Sequence, residues 1–269
     1  MNYRHIYHAG NFADLVKHAI LLSILPALQA RFDALQVIDT HAGAGLYDLT
    51  SAEARASGEA AVARLMADPS APVVFNALRT AVKKRNPGGT LRQYPGSPLL
   101  AAEALRAGDR MIACELRPDD AAVLRRGLGP RDLALVEDGY RVAPARAKAD
   151  GGLFVLIDPP FEGADDYARA AECARAVLRQ NRAACVMIWT PLKDLETFDA
   201  FLRRLEGAAA RTLVAEARLR PLDDPLRLNG CAVMVLNDPP GAEEDAAAAC
   251  KWVCERLGEA DARAHVWRL

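Results

Sequence analysis

From Asn11 to Leu28 apolar residues recur every three or four positions, and Leu15, Ala19, Leu22 and Leu25 share one helical face. Asn11 can cap that helix, and Pro26 falls near its expected end. The pattern then changes. "ALQVID" (34–39) is an apolar run of strand length that empties into a glycine-rich turn, "THAGAG". From Leu46 to about Arg92 the chain is alanine-rich and helical, with no strand expected between its two helical stretches. Further strands are predicted at "RMIACE", "LALVED", "GLFVLID" and "AACVMIW". Helices are predicted at "YPGSPLLAAEALRAG", Asp119 to Arg126, Tyr167 to Asn181 and "LETFDAFLRRLE". "RTLVAEARLR" and "GCAVMVLN" read as a hairpin, and "EEDAAAACKWVCERLG" as a final amphipathic helix.

This alternation predicts an α/β fold: a mostly parallel sheet covered on both faces, with the C-terminal hairpin placing one antiparallel strand in it. Residues 1–45 and 93–269 are expected to form one domain, with segment 1–30 covering its site, and 46–92 an inserted helical subdomain. In such folds ligands sit at the carboxyl ends of the strands, where the strand order reverses. Four consecutive predicted strands end in, or one step past, an acid: Asp39, Glu115, Asp138 and Asp158. One acid at a strand end is commonplace, but four in series point to a ligand.

The turn after the first strand, with Gly43 and Gly45, lets a ligand approach the backbone. The dinucleotide fingerprint needs a glycine or alanine where Asp48 stands, and Asp39 would repel a pyrophosphate. An acid there suits a cationic ligand, such as the amino and sulfonium groups of S-adenosylmethionine. Glu115 is placed to accept from a ribose diol, and Asp138 from an adenine amino group.

The stretch "LFVLIDPPFEGADDY" adds a second kind of group. Pro159 and Pro160 fix two φ angles and remove two N–H donors. What remains beside Asp158 is acceptors, its carboxylate and the nearby carbonyls, which is what an –NH2 group requires. Phe161 supplies a ring face for a base. An isolated Asp-Pro-Pro is more often a plain turn. The chain carries such a control in "NDPPG" at Asp238, which lacks the aromatic.

Composition narrows this little. A net charge of −1 over 269 residues means that any polyanion must be met by a local patch. One candidate runs from Arg79 to Arg92, with Lys83, Lys84 and Arg85 at its centre and no acid within it. The six cysteines form no CxxC pair and read as buried thiols of a reducing compartment. A cytoplasmic location is expected, since no secretory signal is visible and the apolar stretch from Ala19 to Leu25 is too short to span a bilayer. No His/Cys/Asp grouping has metal-ligand spacing, so no metal is expected.

"DPPF" after an apolar strand matches the [DNS]-P-P-[YFW] motif of methyltransferases acting on exocyclic amino groups of bases. Together with "YRHIYHAGNFADLVKH" (3–18), "DTHAGAGLYDL" (39–49), "YPGSP" (94–98) and "CELRPDD", the chain resembles the RlmJ family from Tyr3 to about Pro240. The resemblance implies a Rossmann-like, S-adenosylmethionine-dependent methyltransferase fold. It also implies methylation of N6 of one adenine of 23S ribosomal RNA, the family's position 2030. The cofactor contacts it implies are His18, His41, Gly43, Ser97, Glu115, Asp138 and Gly139, with Lys17 beside them. Asp158, Pro159 and Phe161 would be catalytic, where the family usually has a tyrosine at Phe161. That exchange keeps the ring face and loses a hydroxyl. RNA contacts are expected from Tyr3, Arg4, Lys83, Lys84 and Arg85, in a monomer with neither membrane nor metal. A DNA adenine-N6 methyltransferase and a non-catalytic Rossmann-like binding module are the alternatives.

Overall fold

The structure, a computed structural model, describes residues 9–50, 61–147, 151–224 and 227–269. The first predicted strand becomes β1 (Leu35–Asp39); β2 (Leu46–Asp48) and β3 (Gln93–Pro95) follow as a separate two-stranded ladder. β4 (Arg110–Cys114), β5 (Leu133–Leu135), β6 (Gly152–Ile157) and β7 (Cys185–Pro191) then complete a parallel array with β1. β8 (Thr212–Arg218), β9 (Gly230–Leu236) and β10 (Arg263–Arg268) extend it to eight strands in the order β10-β8-β9-β7-β6-β1-β4-β5. β9 runs against both β7 and β8, and β10 against β8, so two strands oppose the parallel direction instead of the one expected. All six residues of β6 are buried, because helices cover both faces of a central parallel strand.

Helices α1 (Phe12–Arg31), α2 (Ala61–Ala67), α3 (Asn76–Arg85), α4 (Ser97–Ala104) and α5 (Pro118–Gly127) precede α6 (Gly139–Arg146), which the sequence pattern did not announce. After them come α7 (Asp166–Gln180), α8 (Leu195–Leu205) and α9 (Ala242–Leu257). One core layer gathers α1, α2, α3, α4 and α9; the other gathers α6, α7 and α8.

Asn11 caps α1 by accepting from the Asp14 N–H at 3.0 Å. The helix passes through Pro26 to Arg31 instead of stopping near it. Leu25 and Leu28 are buried on either side, and their packing outweighs the one backbone bond that Pro26 forfeits. This corrects the expectation of a segment too short for a bilayer, since α1 has the length and apolarity of a membrane span. Yet most of α1 is buried within the protein, as in a core helix.

The β2–β3 ladder, in which Tyr47 faces Tyr94, closes the base of the insertion. Val62, Leu65, Phe75, Leu78 and Val82 belong to the same core as α1, and the Phe75 ring meets Trp252 of α9 at 5.0 Å. The described helices of this stretch, α2 and α3, therefore share the main core. All six cysteines are free and buried.

Candidate active site

The strand order reverses at β1, which lies between β4 and β6. The turn after β1 is wedged there: Thr40 N–H donates to the Leu156 carbonyl at 3.0 Å and Ala42 N–H to that of Cys114 at 2.9 Å. Gly43 has φ +60, and a side chain on it would collide with the Tyr47 hydroxyl. Gly43 N–H donates to one Glu115 oxygen at 3.0 Å, and Arg117 N–H to the other at 2.8 Å. Burial raises the Glu115 pKa although both bonds oppose it. The carboxylate is thus fixed in place by two backbone donors.

Asp39 ends β1, buried, and accepts from Ser97 Oγ at 2.6 Å and from His41 N–H at 3.1 Å. Burial, with help from Asp158, raises its pKa from 3.8 to about 6. As pH rises from about 4 to about 6, the folded protein retains a proton that the unfolded chain releases, so stability falls across that window. Asp39→Asn should lack that slope, a difference of about 2–3 kcal/mol. Urea unfolding at both ends of the window checks this, and parallel pH profiles for the two proteins would contradict it.

His41 follows in the turn, its Nδ1 2.8 Å from Thr40 Oγ1 and its ring edge-on to Tyr140 at 4.7 Å. Burial lowers its pKa to about 4, so the imidazole is neutral at pH 7. Asp138 caps α6 through the Tyr140 N–H at 2.9 Å, and its second oxygen pairs with Arg169 at 3.0 Å. Gly139 is pressed so closely on the Thr40 carbonyl that a Cβ there would collide with it. That contact locks the start of α6 against the β1 turn.

At the end of β6, Lys17 of α1 bridges two acids: Nζ lies 2.6 Å from Asp158 Oδ2 and 2.8 Å from Asp14 Oδ1. Burial disfavours the ammonium, but the two carboxylates together raise its pKa above the ordinary lysine value. Asp158 is the most open of the three, with its side chain 12% exposed. Asp158 Oδ1 has no hydrogen-bond partner among the described residues. Phe161 has φ +52, the left-handed region that a bulky residue occupies only when its surroundings impose it, at a cost of about 1–3 kcal/mol. Its ring meets Tyr167 at 4.6 Å and Trp189 at 6.0 Å.

Several expected roles change on this geometry. Phe161 is 2% exposed, so its face is packed among aromatics and is not the open platform expected for a base. His18 is fully buried, with Nδ1 2.7 Å from the Tyr94 hydroxyl, and its side chain reaches no open surface. Both Asp138 oxygens already have protein partners, which leaves them only their second lone pairs for an adenine. Lys84 and Arg85 both pair with Glu103 of α4, so the insertion's patch is partly neutralised while Lys83 stays exposed. Tyr3 and Arg4 lie outside the described residues.

With this geometry in view, the likenesses to known proteins are specific. Residues 33–269 match the family described as Ribosomal RNA large subunit methyltransferase D, RlmJ. Ribosomal RNA large subunit methyltransferase J of Haemophilus influenzae is 33% identical over 89% of this chain and 88% of its own length. The protein of the same name from Escherichia coli K12 is 31% identical over 96% of this chain and 94% of its own. The chain belongs to the RlmJ family. A crystal structure of a Legionella pneumophila protein, 24% identical, superposes with a TM-score of 0.87 over 97% of this chain and 98% of the other, which shows the shared fold.

For this member of the RlmJ family, the residues missed from sequence are those that hold the site together. Asp14, Lys17 and His18 lie at i, i+3 and i+4 on a helix otherwise rich in apolar residues. That polar cluster in an apolar stretch was the available signal for Asp14. Arg169, Trp189 and Lys193 gave no local signal, because their relation to Asp138 and Phe161 arises only on folding.

Proposed function

We propose that this RlmJ-family protein transfers a methyl group from S-adenosylmethionine to N6 of an adenine in 23S ribosomal RNA. The observation that carries the reading is the Asp158–Phe161 segment at the strand-order reversal, next to the acids Asp39 and Glu115. Family membership supports the reaction and the RNA class. S-adenosylmethionine supplies an electrophilic methyl group on a sulfonium. The residues present suit it: Asp39 is a buried acid that a cationic ligand would favour in its charged form, and Glu115 presents oriented oxygens for a ribose. Ser97 and Gly43 hold those two carboxylates in place.

The chain's own work on the base is positional. Asp158 Oδ1 and the Pro159 carbonyl accept the two N6–H bonds and turn the nitrogen lone pair toward the methyl group. Lys17 fixes the other Asp158 oxygen, so the carboxylate rotates little. Such positioning can supply about 7–11 kcal/mol of a barrier. The adenine must be unpaired or flipped out to reach these atoms. Positive charge developing on N6 would face the Asp158 carboxylate; as the N–CH3 bond forms, the S–CH3 bond would break and release S-adenosylhomocysteine, and the extra N6 proton would then pass to Asp158 or to water.

Two expected results test parts of this reading. Glu115→Ala removes a charged acceptor and the anchor of the Gly43 turn, so S-adenosylmethionine affinity measured by calorimetry should fall by about tenfold or more. Unchanged affinity in the folded variant would remove Glu115 from the site. Neutralising Lys83, Lys84 and Arg85 together should weaken RNA binding and flatten its salt dependence. Because Glu103 already pairs with two of them, the slope should change by about one unit, as for one freed phosphate contact. An unchanged slope would place the RNA elsewhere. The reading as a whole is tested by transfer of labelled methyl to unmethylated 23S RNA and to DNA of matching sequence. RNA alone should become labelled, as N6-methyladenine. Labelled DNA would favour a DNA methyltransferase, and no transfer with intact cofactor binding a non-catalytic module.

A further inference from the structure

The segment after Asp158 is short of restraints. Pro159 and Pro160 have no N–H, and among the described residues Pro159 to Glu162 make no backbone–backbone hydrogen bond. Phe161 nevertheless holds φ +52. Among the described residues, one polar contact grips this backbone: Lys193 Nζ donates to the Phe161 carbonyl at 2.7 Å. Lys193 is well placed for that task because its neighbours in the chain are pinned. Leu192 N–H donates to the Gly230 carbonyl at 2.9 Å, and Asp194 caps α8 through the Thr197 N–H at 2.7 Å. The Phe161 ring also meets Tyr167, whose hydroxyl donates to the Pro191 carbonyl at 3.2 Å. Both grips on Phe161 therefore lead to the end of β7.

We propose that Lys193 is a positioning residue of the reaction: its ammonium holds the Phe161 carbonyl, keeps Phe161 in the left-handed conformation, and so fixes the acceptors of Asp158 and Pro159. This rests on the methyl-transfer reading. Lys193→Met keeps the length of the side chain and loses the donor. The single-turnover rate at saturating RNA should fall by about tenfold or more, as expected when acceptors lose their alignment. S-adenosylmethionine affinity and the salt dependence of RNA binding should stay unchanged. Lys193→Arg retains a donor and should recover the rate to within about threefold. Glycine adopts left-handed backbone without help, so in a Phe161→Gly background the Lys193→Met loss should shrink to about threefold or less. Independently of activity, the emission of Trp189, 6.0 Å from the Phe161 ring, should shift in Lys193→Met and not in Lys193→Arg.

An undiminished rate in Lys193→Met, an equal loss in the Phe161→Gly background or an unmoved emission would overturn the proposal. A loss confined to RNA affinity, with a shallower salt slope, would make Lys193 a phosphate contact and also overturn it. The wild-type rate separates the two readings. If the wild-type protein transfers methyl groups and Lys193→Met does so equally well, only this inference fails; if the wild-type protein transfers none, the proposed function fails, and the emission still tests the grip on Phe161.

Discussion

Asp158→Asn should give a folded protein that binds S-adenosylmethionine normally and transfers its methyl group at least about 10²–10³-fold more slowly. The substitution keeps the shape and replaces one oxygen with an NH2 group. If that group takes the Oδ1 position, it meets the adenine amino group donor to donor. If it takes the Oδ2 position, it faces the Lys17 ammonium, again donor to donor, at a site where 2.6 Å separates the partners. Either orientation loses the negative charge proposed to face N6 during methyl transfer. Asp39, Glu115 and Asp138 are untouched, so cofactor affinity should hold. The matching change at the second Asp-Pro-Pro is instructive. Asp238 is buried and pairs with Arg268 at 3.0 and 3.1 Å, tying β10 to the turn before α9. Asp238→Asn should therefore lower the melting temperature and leave the rate per folded molecule near wild type. Full activity in Asp158→Asn, or equal rate losses at the two sites, would contradict the role given to Asp158.

Lys17→Met should have a large effect on stability as well as on rate. It takes from Asp14 and Asp158 the buried ammonium that both contact. Breaking a buried ion pair from one side typically destabilises by about 3–5 kcal/mol, because a charge is left uncompensated. Adding Asp14→Asn removes one of the two negative charges that Lys17 balanced while keeping an oxygen for the Gly10 N–H, which donates to Asp14 Oδ2 at 2.9 Å. The double variant should regain much of the lost stability in urea. It should not regain transfer, which should stay about 10²-fold or more below wild type because Asp158 has lost its anchor. Recovery of both together would reduce Lys17 to a structural role.

How far the sequence spoke differs from residue to residue, for physical reasons. β6 was legible because six consecutive buried residues in a central strand leave an unbroken apolar run. Asp39, Glu115 and Asp158 were legible because an acid interrupting such a run marks the strand's end. β10 was not, since Arg263, His265 and Arg268 give an exposed edge strand no apolar signature. It is held by its ladder to β8 and by Arg268 on Asp238, and both are long-range. The stretch from Arg79 to Arg92 reads as acid-free in one dimension, yet α4 folds Glu103 onto it. Phe161 could be assigned to the site from its motif. Its burial and left-handed backbone could not, because Tyr167, Trp189 and Lys193 impose them from other elements.

The most direct test of the central claim is to map N6-methyladenine in 23S RNA from cells lacking the gene, then from the same cells carrying the wild-type gene or Asp158→Asn. One N6-methyladenine should disappear with the gene, return with the wild-type copy, and stay absent with Asp158→Asn although that protein accumulates. An unchanged methylation map on deletion, or full restoration by Asp158→Asn, would contradict that claim.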